Sequence, residues 1–433
     1  MKSLKRGSRL ITLMISVFII GMIVLIAKIQ MEASFYISNS GSRNLGYIYD
    51  RNGDIIFDDN AENGQYPDGY FKDLGNLIGD ASGQMTNTLV AKNLEKLSNY
   101  SFTSGITYKG GKAAIYSTLS HEANEKVYSA FGDKDGCAIA YNYKTGEILV
   151  CVSRPSVDPL KGYEDLAEGS LLCKAFYKTV PGSTQKIATL ISAVETMGMD
   201  ALMEKSFTCN GVYTNNTGLD IVCHNEYGHG TQNIREAFAN SCNPFFAQLV
   251  EDSGWSLANI EDCYKKLGYS VNGSEETEFS INGIISAKAS TTLEDKNEFN
   301  TQWSCIGQGT SLVSPCQLMM WQSAIANESG KSTMPYLIDH VTNVNGRTVE
   351  NASTNYSEQL FSSHTASEVK DIMLENGLNY TGKIPGYTLG IKSGTAQVKD
   401  GKEENSLLTG FVDDKDFPIA FAILIENLSL IHI

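Results

Sequence analysis

The chain has 433 residues, 42% hydrophobic and 19% charged, a globular composition long enough for two or three domains. Its 34 basic residues face 49 acidic ones, for a net charge of −15. A body this acidic repels phosphate backbones, which excludes nucleic acid as a partner.

Lys2, Lys5, Arg6 and Arg9 crowd the first nine residues, and no charge follows from Leu10 to Ala27. At about 1.5 Å per residue that stretch just crosses a hydrocarbon core of roughly 30 Å. Lys28 can snorkel at its far end. The basic cluster ahead of the span keeps residues 1–9 cytoplasmic. A cleaved signal peptide is the competing reading, but Ala27-Lys28-Ile29-Gln30 is not a small-x-small cleavage site. Residues 10–29 therefore read as an uncleaved signal anchor of a single-pass membrane protein, with an extracytoplasmic body.

Residues 30–130 form a short, polar region rich in Gly, Asn and Ser. Within it, Tyr47 to Phe57 reads as a hairpin turning at Asn52-Gly53. Asp50, Asn52 and Asp54 imitate the start of a calcium loop, but Ile55 and Ala61 occupy the positions that need glycine and a bidentate glutamate. From 131 onward a second domain begins. Cys137–Tyr141 and Glu147–Val152 are short strands joined by a turn at Asn142 to Gly146. The middle, about 170–375, is mostly helical by pattern. Strands return at Tyr387–Lys392, Leu407–Val412 and Pro418–Glu426. Strands, then helices, then strands predict an α+β fold with one antiparallel sheet built from distant parts of the chain and helices packed on it.

Three short segments carry candidate chemistry. The first opens a helix marked by the apolar stripe Ile187, Leu190, Ile191, Val194 and Met197 and stopped at Gly198. Ser183 stands in its first turn, and Lys186 lies three residues on, so their Cβ atoms are roughly 5–6 Å apart. An amine there can take the proton of an attacking hydroxyl. Unpaired N–H groups at the helix start favour an oxyanion. The structural alternative is that Ser183 merely caps the helix. The second segment is Ser241-Cys242-Asn243-Pro244, with Pro244 suited to the first turn of another helix and Asn243 able to cap it. The third is Lys392-Ser393-Gly394-Thr395, read as the end of a strand, where Gly394 admits a ligand backbone and the lysine and hydroxyls suit a carboxylate. Its plain alternative is a strand running into a polar turn.

Nine cysteines is an odd number in a chain that needs no staples. Cys209 and Cys223 flank a Gly/Asn/Thr-rich stretch, and a disulfide between them, worth roughly 3 kcal/mol by loop entropy, is one expectation. Burial of the cysteines as small hydrophobes is the other. Cys223, His224 and His229 are close, but no second cysteine stands at zinc spacing, so the sequence reads as having no metal site.

Ser-x-x-Lys, Ser-x-Asn and Lys-[Ser/Thr]-Gly, in this order on helix start, loop and strand, resemble the active site of the penicillin-binding transpeptidases and serine β-lactamases. The resemblance extends over residues 115–430. It takes in Thr145 to Leu149, Ser153 to Pro159, His229-Gly230, Ile306 to Gly309 with Ser314-Pro315, and Gly394 to Gln397. It implies a five-stranded antiparallel sheet flanked by helices in a domain over 131–433, behind the transmembrane helix. It also implies a monofunctional (class B-type) peptidoglycan D,D-transpeptidase that is inhibited by β-lactams and needs no cofactor. Its partners would be stem peptides on a lipid-linked precursor and a SEDS-type glycosyltransferase. Ser183 would be the nucleophile, Lys186 its base, Ser241 a proton relay and Asn243 the holder of the substrate amide. Lys392, Ser393, Gly394 and Thr395 would form the carboxylate site, and the N–H groups of Ser183 and Thr395 the oxyanion hole.

Two decoys and two departures accompany the resemblance. Lys144-Thr145-Gly146 fits the third motif but precedes Ser183 and sits in a hairpin turn. Glu375-Asn376-Gly377-Leu378-Asn379 resembles the element that supplies the deacylating base of class A β-lactamases, yet it falls too late in the chain and reads as a helix end stopped by Gly377. Leu407-Leu408-Thr409-Gly410 lacks the aromatic residue expected before its glycine, and the chain ends at Ile431-His432-Ile433, short of the expected last helix. The competing functions are a non-catalytic penicillin-binding receptor or scaffold, a D,D-carboxypeptidase and a serine β-lactamase.

Overall fold

The computed structural model describes residues 2–31, 45–58, 71–80, 82–98, 100–101, 105–106, 111–274, 278–398 and 403–429. The last three residues, on which the expectation of a missing helix turned, lie outside these. Helix α1 (Lys2–Met31) contains Ile11–Ile29, a run of 19 residues with mean hydropathy 2.5 and none of it buried. It is long and apolar enough to cross a membrane.

The central sheet has five antiparallel strands: β1 (Gly136–Asn142), β2 (Ile148–Arg154), β3 (Leu389–Val398), β4 (Glu403–Val412) and β5 (Ile419–Ser429), in the order β3-β4-β5-β1-β2. The first and last parts of the domain thus meet where β5 pairs with β1, Ala422 opposite Ile139. The strands at the end of the chain are longer than their apolar runs. Lys392, Ser393 and Gly394 lie mid-strand, opposite Thr409, Leu408 and Leu407, because hydrogen bonding to β4 continues through a stretch whose Gly and Ser imitate a turn.

Helices cover the sheet. Every residue of α4 (Pro315–Ala326) is buried where it crosses β4, β5 and β1, and Ser314 caps it by accepting from the Gln317 N–H. Helix α2 (Lys186–Met197) is buried from Lys186 through Val194 between α5 (Ser363–Gly377) and Leu257–Lys266. α5 ends at Gly377 as read, with Gly377 itself in right-handed backbone and a 3₁₀ turn, Leu378–Tyr380, following. The missing side chain of Gly377 is required because a Cβ would stand 1.6 Å from the Leu389 carbonyl oxygen. α5 packs directly on β3 there, with Asn376 Nδ2 donating to the Ile391 carbonyl at 2.7 Å.

The middle of the chain is less helical than its pattern implies. Phe207–Cys209 pairs with Gly230–Gln232, and Val212–Thr214 with Asp220–Val222, in strands of three residues that are too short to show a period. The hairpin at Tyr47–Tyr49 and Ile55–Phe57 forms as read, with the Asp50 carboxylate accepting from the N–H groups of Asn52 and Asp54 in the turn. It joins Ala114–Ser117 and Ile338–Thr342 in a second, mixed sheet.

Candidate active site

Ser183 lies in a 3₁₀ turn, Gly182–Gln185, that leads into α2. Its hydroxyl makes no capping bond at the helix start. It accepts from Lys186 Nζ at 2.7 Å. Burial of the α2 stripe orients this pair, since Ile187, Leu190 and Ile191 face the core and turn Lys186 inward, where it is fully buried. Lys186 Nζ also donates to Asn243 Oδ1 at 2.7 Å and to the Ser241 carbonyl at 2.9 Å. Phe246 stands beneath it, ring centroid 5.7 Å away.

Ser241 and Asn243 come from the loop that enters α3 (Asn243–Glu251). Cys242, not Asn243, is the N-cap residue, and Asn243 makes no cap bond. Its amide is spent instead on Lys186 and on the Val222 carbonyl, to which Nδ2 donates at 3.0 Å. Ser241 has φ +51°, an uncommon backbone for a non-glycine residue. Its hydroxyl accepts from Lys392 Nζ at 2.9 Å and from Lys186 Nζ at 3.4 Å. The three motifs therefore meet on two buried amines that share one serine.

These amines are poor places for charge. Burial first, and then the charge of Lys392, holds Lys186 well below the usual lysine range, although Cys242 and Cys223 pull the other way. Burial brings Lys392 down to about 7. A neutral lysine beside a serine hydroxyl is a competent base.

Strand β3 crosses the start of α2 at backbone contact. A Cβ on Gly394 would lie 2.9 Å from the Pro181 oxygen, 2.9 Å from the Thr184 nitrogen and 3.1 Å from the Ser183 nitrogen. The close approach that Gly394 permits is thus by the Ser183 turn rather than by a ligand. Gly182, at φ +53°, meets the same strand at the Thr395 carbonyl. The contact sets the Ser183 and Thr395 segments side by side at the mouth of a cleft of about 630 Å³. Ser183, Ser241, Asn243, Ser393, Gly394 and Thr395 line the cleft, together with His224, Phe299 and Trp303. Sequence reasoning missed the last three, and also Tyr380, whose hydroxyl donates to Ser393 Oγ at 3.0 Å. Thr409, which replaces the expected aromatic, is buried opposite Lys392.

Both decoys resolve away from the cleft. Lys144 donates to the Lys415 carbonyl in an exposed turn. Glu375 pairs with Arg235 at 2.8 Å and is not among the lining residues.

Of the two cysteine expectations, burial holds and the Cys209–Cys223 disulfide needs correction. Cys209 and Cys223 are free thiols, as are the other seven, and all nine are buried. Their sulfurs do not approach disulfide distance, about 2.05 Å. They belong instead to a group with His229 and Cys242 whose ligand atoms all lie within 4.8 Å of one another. No second cysteine stands at zinc spacing in the sequence, and the group's members come from segments joined only by the fold. Cys223 Sγ is 3.5 Å from His229 Nδ1. A hydrogen bond with Cys242, with burial opposing, lowers the Cys223 thiol, and the same bond raises that of Cys242.

A serine and a buried lysine one helical turn apart, facing a sheet edge that carries a second lysine, define the active-site-serine class of acyl-transferring folds. The family model described as penicillin binding protein transpeptidase domain matches residues 136–429, and the chain belongs to that family. Stage V sporulation protein D of Bacillus subtilis is 31% identical over 306 residues, 67% of this chain and 45% of that protein. Peptidoglycan D,D-transpeptidase PbpA of Mycolicibacterium smegmatis is 25% identical over 352 residues, 75% of this chain and 69% of that one. The chain thus spans about half the length of the first and two thirds of the second. Among solved structures, PBPA from Mycobacterium tuberculosis superposes with a TM-score of 0.75 at 18% identity, covering 89% of this chain and 94% of that one, which shows the shared fold.

Proposed function

We propose that the chain is a peptidoglycan D,D-transpeptidase acting through a Ser183 acyl-enzyme. The observation that carries this reading is the fully buried Lys186 Nζ, 2.7 Å from Ser183 Oγ and held toward neutrality by burial and by Lys392. Ser183 Oγ attacks the carbonyl of the penultimate D-alanine of a stem peptide, and Lys186 takes its proton. The backbone N–H groups of Ser183 and Thr395 receive the oxyanion, where each donor is worth about 3 kcal/mol. Ser241, bonded to both amines, returns a proton to the leaving D-alanine. Asn243 holds the substrate amide, and Lys392, Ser393 and Thr395 bind its terminal carboxylate. An acceptor amine then releases the acyl group as a crosslink. A β-lactam enters by the same attack and stays, because the glutamate of the β-lactamase-like segment is engaged elsewhere.

The same reading makes residues 131–433 the catalytic domain and carries α1 across the membrane with its basic end cytoplasmic. It makes lipid-linked precursor the substrate and a SEDS-type glycosyltransferase the partner that supplies new strands. The names of the relatives, peptidoglycan D,D-transpeptidase among them, support it.

The test is a labelled penicillin on the full chain in detergent, with the adduct mapped by mass spectrometry. The adduct is expected on Ser183 and absent in Ser183→Ala. An adduct that survives the substitution overturns the site, and rapid turnover of the adduct indicates a β-lactamase. Lipid-linked muropeptide with an amine acceptor then yields crosslinked product; trimmed peptide alone indicates a carboxypeptidase, and no product despite labelling indicates a receptor.

A further inference from the structure

We propose that Tyr380 is a positioning residue of the carboxylate site. It aims the Ser393 hydroxyl at the terminal carboxylate of the substrate, and with the end of α5 it closes the β3 edge one residue beyond the scissile bond. The inference rests on the transpeptidase reading of the cleft, which supplies that carboxylate.

Strand β3 is an edge of the central sheet, so one side of its backbone has no strand partner. In an antiparallel strand the N–H and C=O of one residue point to the same side, and the side alternates along the chain. The Ile391 carbonyl points outward, since it accepts from Asn376 Nδ2 on α5 at 2.7 Å. Leu389, Ser393 and Thr395 therefore share that outward side. The end of α5 covers its first part: the Leu389 carbonyl lies against Gly377, and the Ile391 carbonyl is bonded to Asn376. The Ser393 carbonyl accepts from Lys392 Nζ at 2.8 Å. The next outward residue, Thr395, is clear of α5 and carries the N–H assigned to the oxyanion. A substrate carbonyl held there has Ser393 two residues away along the strand, about 7 Å at 3.3–3.4 Å each. That distance holds one leaving residue and its carboxylate, and the end of α5 stands beyond it.

Tyr380 marks this boundary. It ends the 3₁₀ turn that follows α5, and its carbonyl accepts from the N–H groups of Lys383 at 2.9 Å and Ile384 at 3.2 Å, which fixes its backbone. Its ring packs on the apolar cluster of Leu389, Ile391, Val412 and Ile419. Thus anchored, its hydroxyl donates to Ser393 Oγ at 3.0 Å, and Ser393 lines the cleft. Among the described residues Ser393 Oγ donates to no protein group, so accepting from Tyr380 leaves its own hydrogen for a ligand. A hydroxyl that accepts one bond is the stronger donor in the next. A carboxylate oxygen is the acceptor that gains most from such a donor. Packing accounts for the ring of Tyr380 but not for its hydroxyl, because a phenylalanine would fill the same space.

The test uses the full chain in detergent, with initial binding and the covalent step of penicillin acylation resolved by stopped flow and folding checked by melting curves. Tyr380→Phe keeps the ring and removes one oxygen. It should weaken initial binding of a carboxylate-bearing penicillin about threefold to tenfold, change the covalent step by less than about twofold, and leave a penicillin ester unaffected. In Ser393→Ala the further change Tyr380→Phe should cost nothing, because the hydroxyl it aims is gone. Wild type supplies an arm that depends on no variant. A penicillin joined through its carboxyl group to glycine carries its carboxylate one residue farther on, and should acylate no faster than the ester. Equal losses for acid and ester, or additive effects in the double variant, reduce Tyr380 to a packing residue and overturn the proposal. A glycine-extended compound that acylates as fast as its parent shows the edge open beyond Ser393 and overturns it as well. No Ser183 adduct from any of these compounds sinks the transpeptidase reading and the inference with it, whereas a Ser183 adduct indifferent to Tyr380 sinks the inference alone.

Discussion

Gly394→Ala tests how the cleft is assembled. The added Cβ meets only backbone: the Pro181 oxygen and Thr184 nitrogen at 2.9 Å and the Ser183 nitrogen at 3.1 Å. No rotamer can relieve those contacts, so β3 and the Ser183 turn must part by about half an ångström to approach an ordinary separation of about 3.5 Å. The Ser183 and Thr395 N–H groups lie on the two sides of that contact. Complete loss of one oxyanion donor costs about 2.7–4 kcal/mol, and a partial widening should slow acylation by about thirtyfold to a hundredfold. Overpacking should cost about 1–3 kcal/mol of stability, so the protein still folds. The assay is the stopped-flow rate of acylation by a fluorescent penicillin, separated into initial binding and the covalent step, on protein shown by its melting curve to be folded. Gly390→Ala is the control, because it lies on the same strand as Gly394 but its Cβ meets the Phe411 ring of β4 and not the Ser183 turn. It should lower Tm with little effect on acylation. A Gly394→Ala protein that acylates within about threefold of wild type refutes the backbone contact as the determinant of the oxyanion geometry.

Much of this cleft was legible because its parts are local. Ser183 and Lys186 are one helical turn apart, so their pairing needs only a helix, and the stripe from Ile187 to Met197 supplies one. What joined the pair to Ser241 and Lys392 was the order of three motifs, since no spacing rule brings a loop and a strand edge to the same amine. The sheet was readable from its apolar runs, but β3 was cut short at Lys392, where Ser393 and Gly394 look like a turn. Only pairing with β4 reveals the strand beneath. Gly377 was legible as the end of α5, but the close approach to Leu389 that requires glycine there was not, because the two are neighbours only in the fold. The cysteine cluster was legible only in pairs, Cys209 with Cys223 and Cys223 with His229, and Cys242 was missed, for a plainer reason. Its members are separated by six to fourteen residues beside strands of three, and two of those strands pair across a hairpin nested between them. Nothing in their sequence spacing distinguishes them from the other six buried cysteines.

Two further outcomes follow from the same geometry. Gly377→Ala drives a Cβ to 1.6 Å from the Leu389 oxygen; separating α5 from β3 should cost about 2–3 kcal/mol and lower Tm by about 5–10 °C, and a change below 2 °C contradicts the contact. The pH profile of acylation tests the two lysines against each other. Lys186 must be neutral to accept the Ser183 proton, and its depressed value keeps it neutral until the pH falls well below the usual lysine range. Lys392 must be charged to attract a carboxylate, and that charge is lost as pH rises through about 7. Burial is what lowers Lys392, while Lys186 also feels the charge of Lys392 and the opposing pull of Cys242 and Cys223. The second-order rate constant for a carboxylate-bearing penicillin should therefore fall on the alkaline side of about 7, while a penicillin ester, which lacks the carboxylate, should show no such fall. Equal alkaline limbs for acid and ester assign the loss to some other group and remove Lys392 from the carboxylate site.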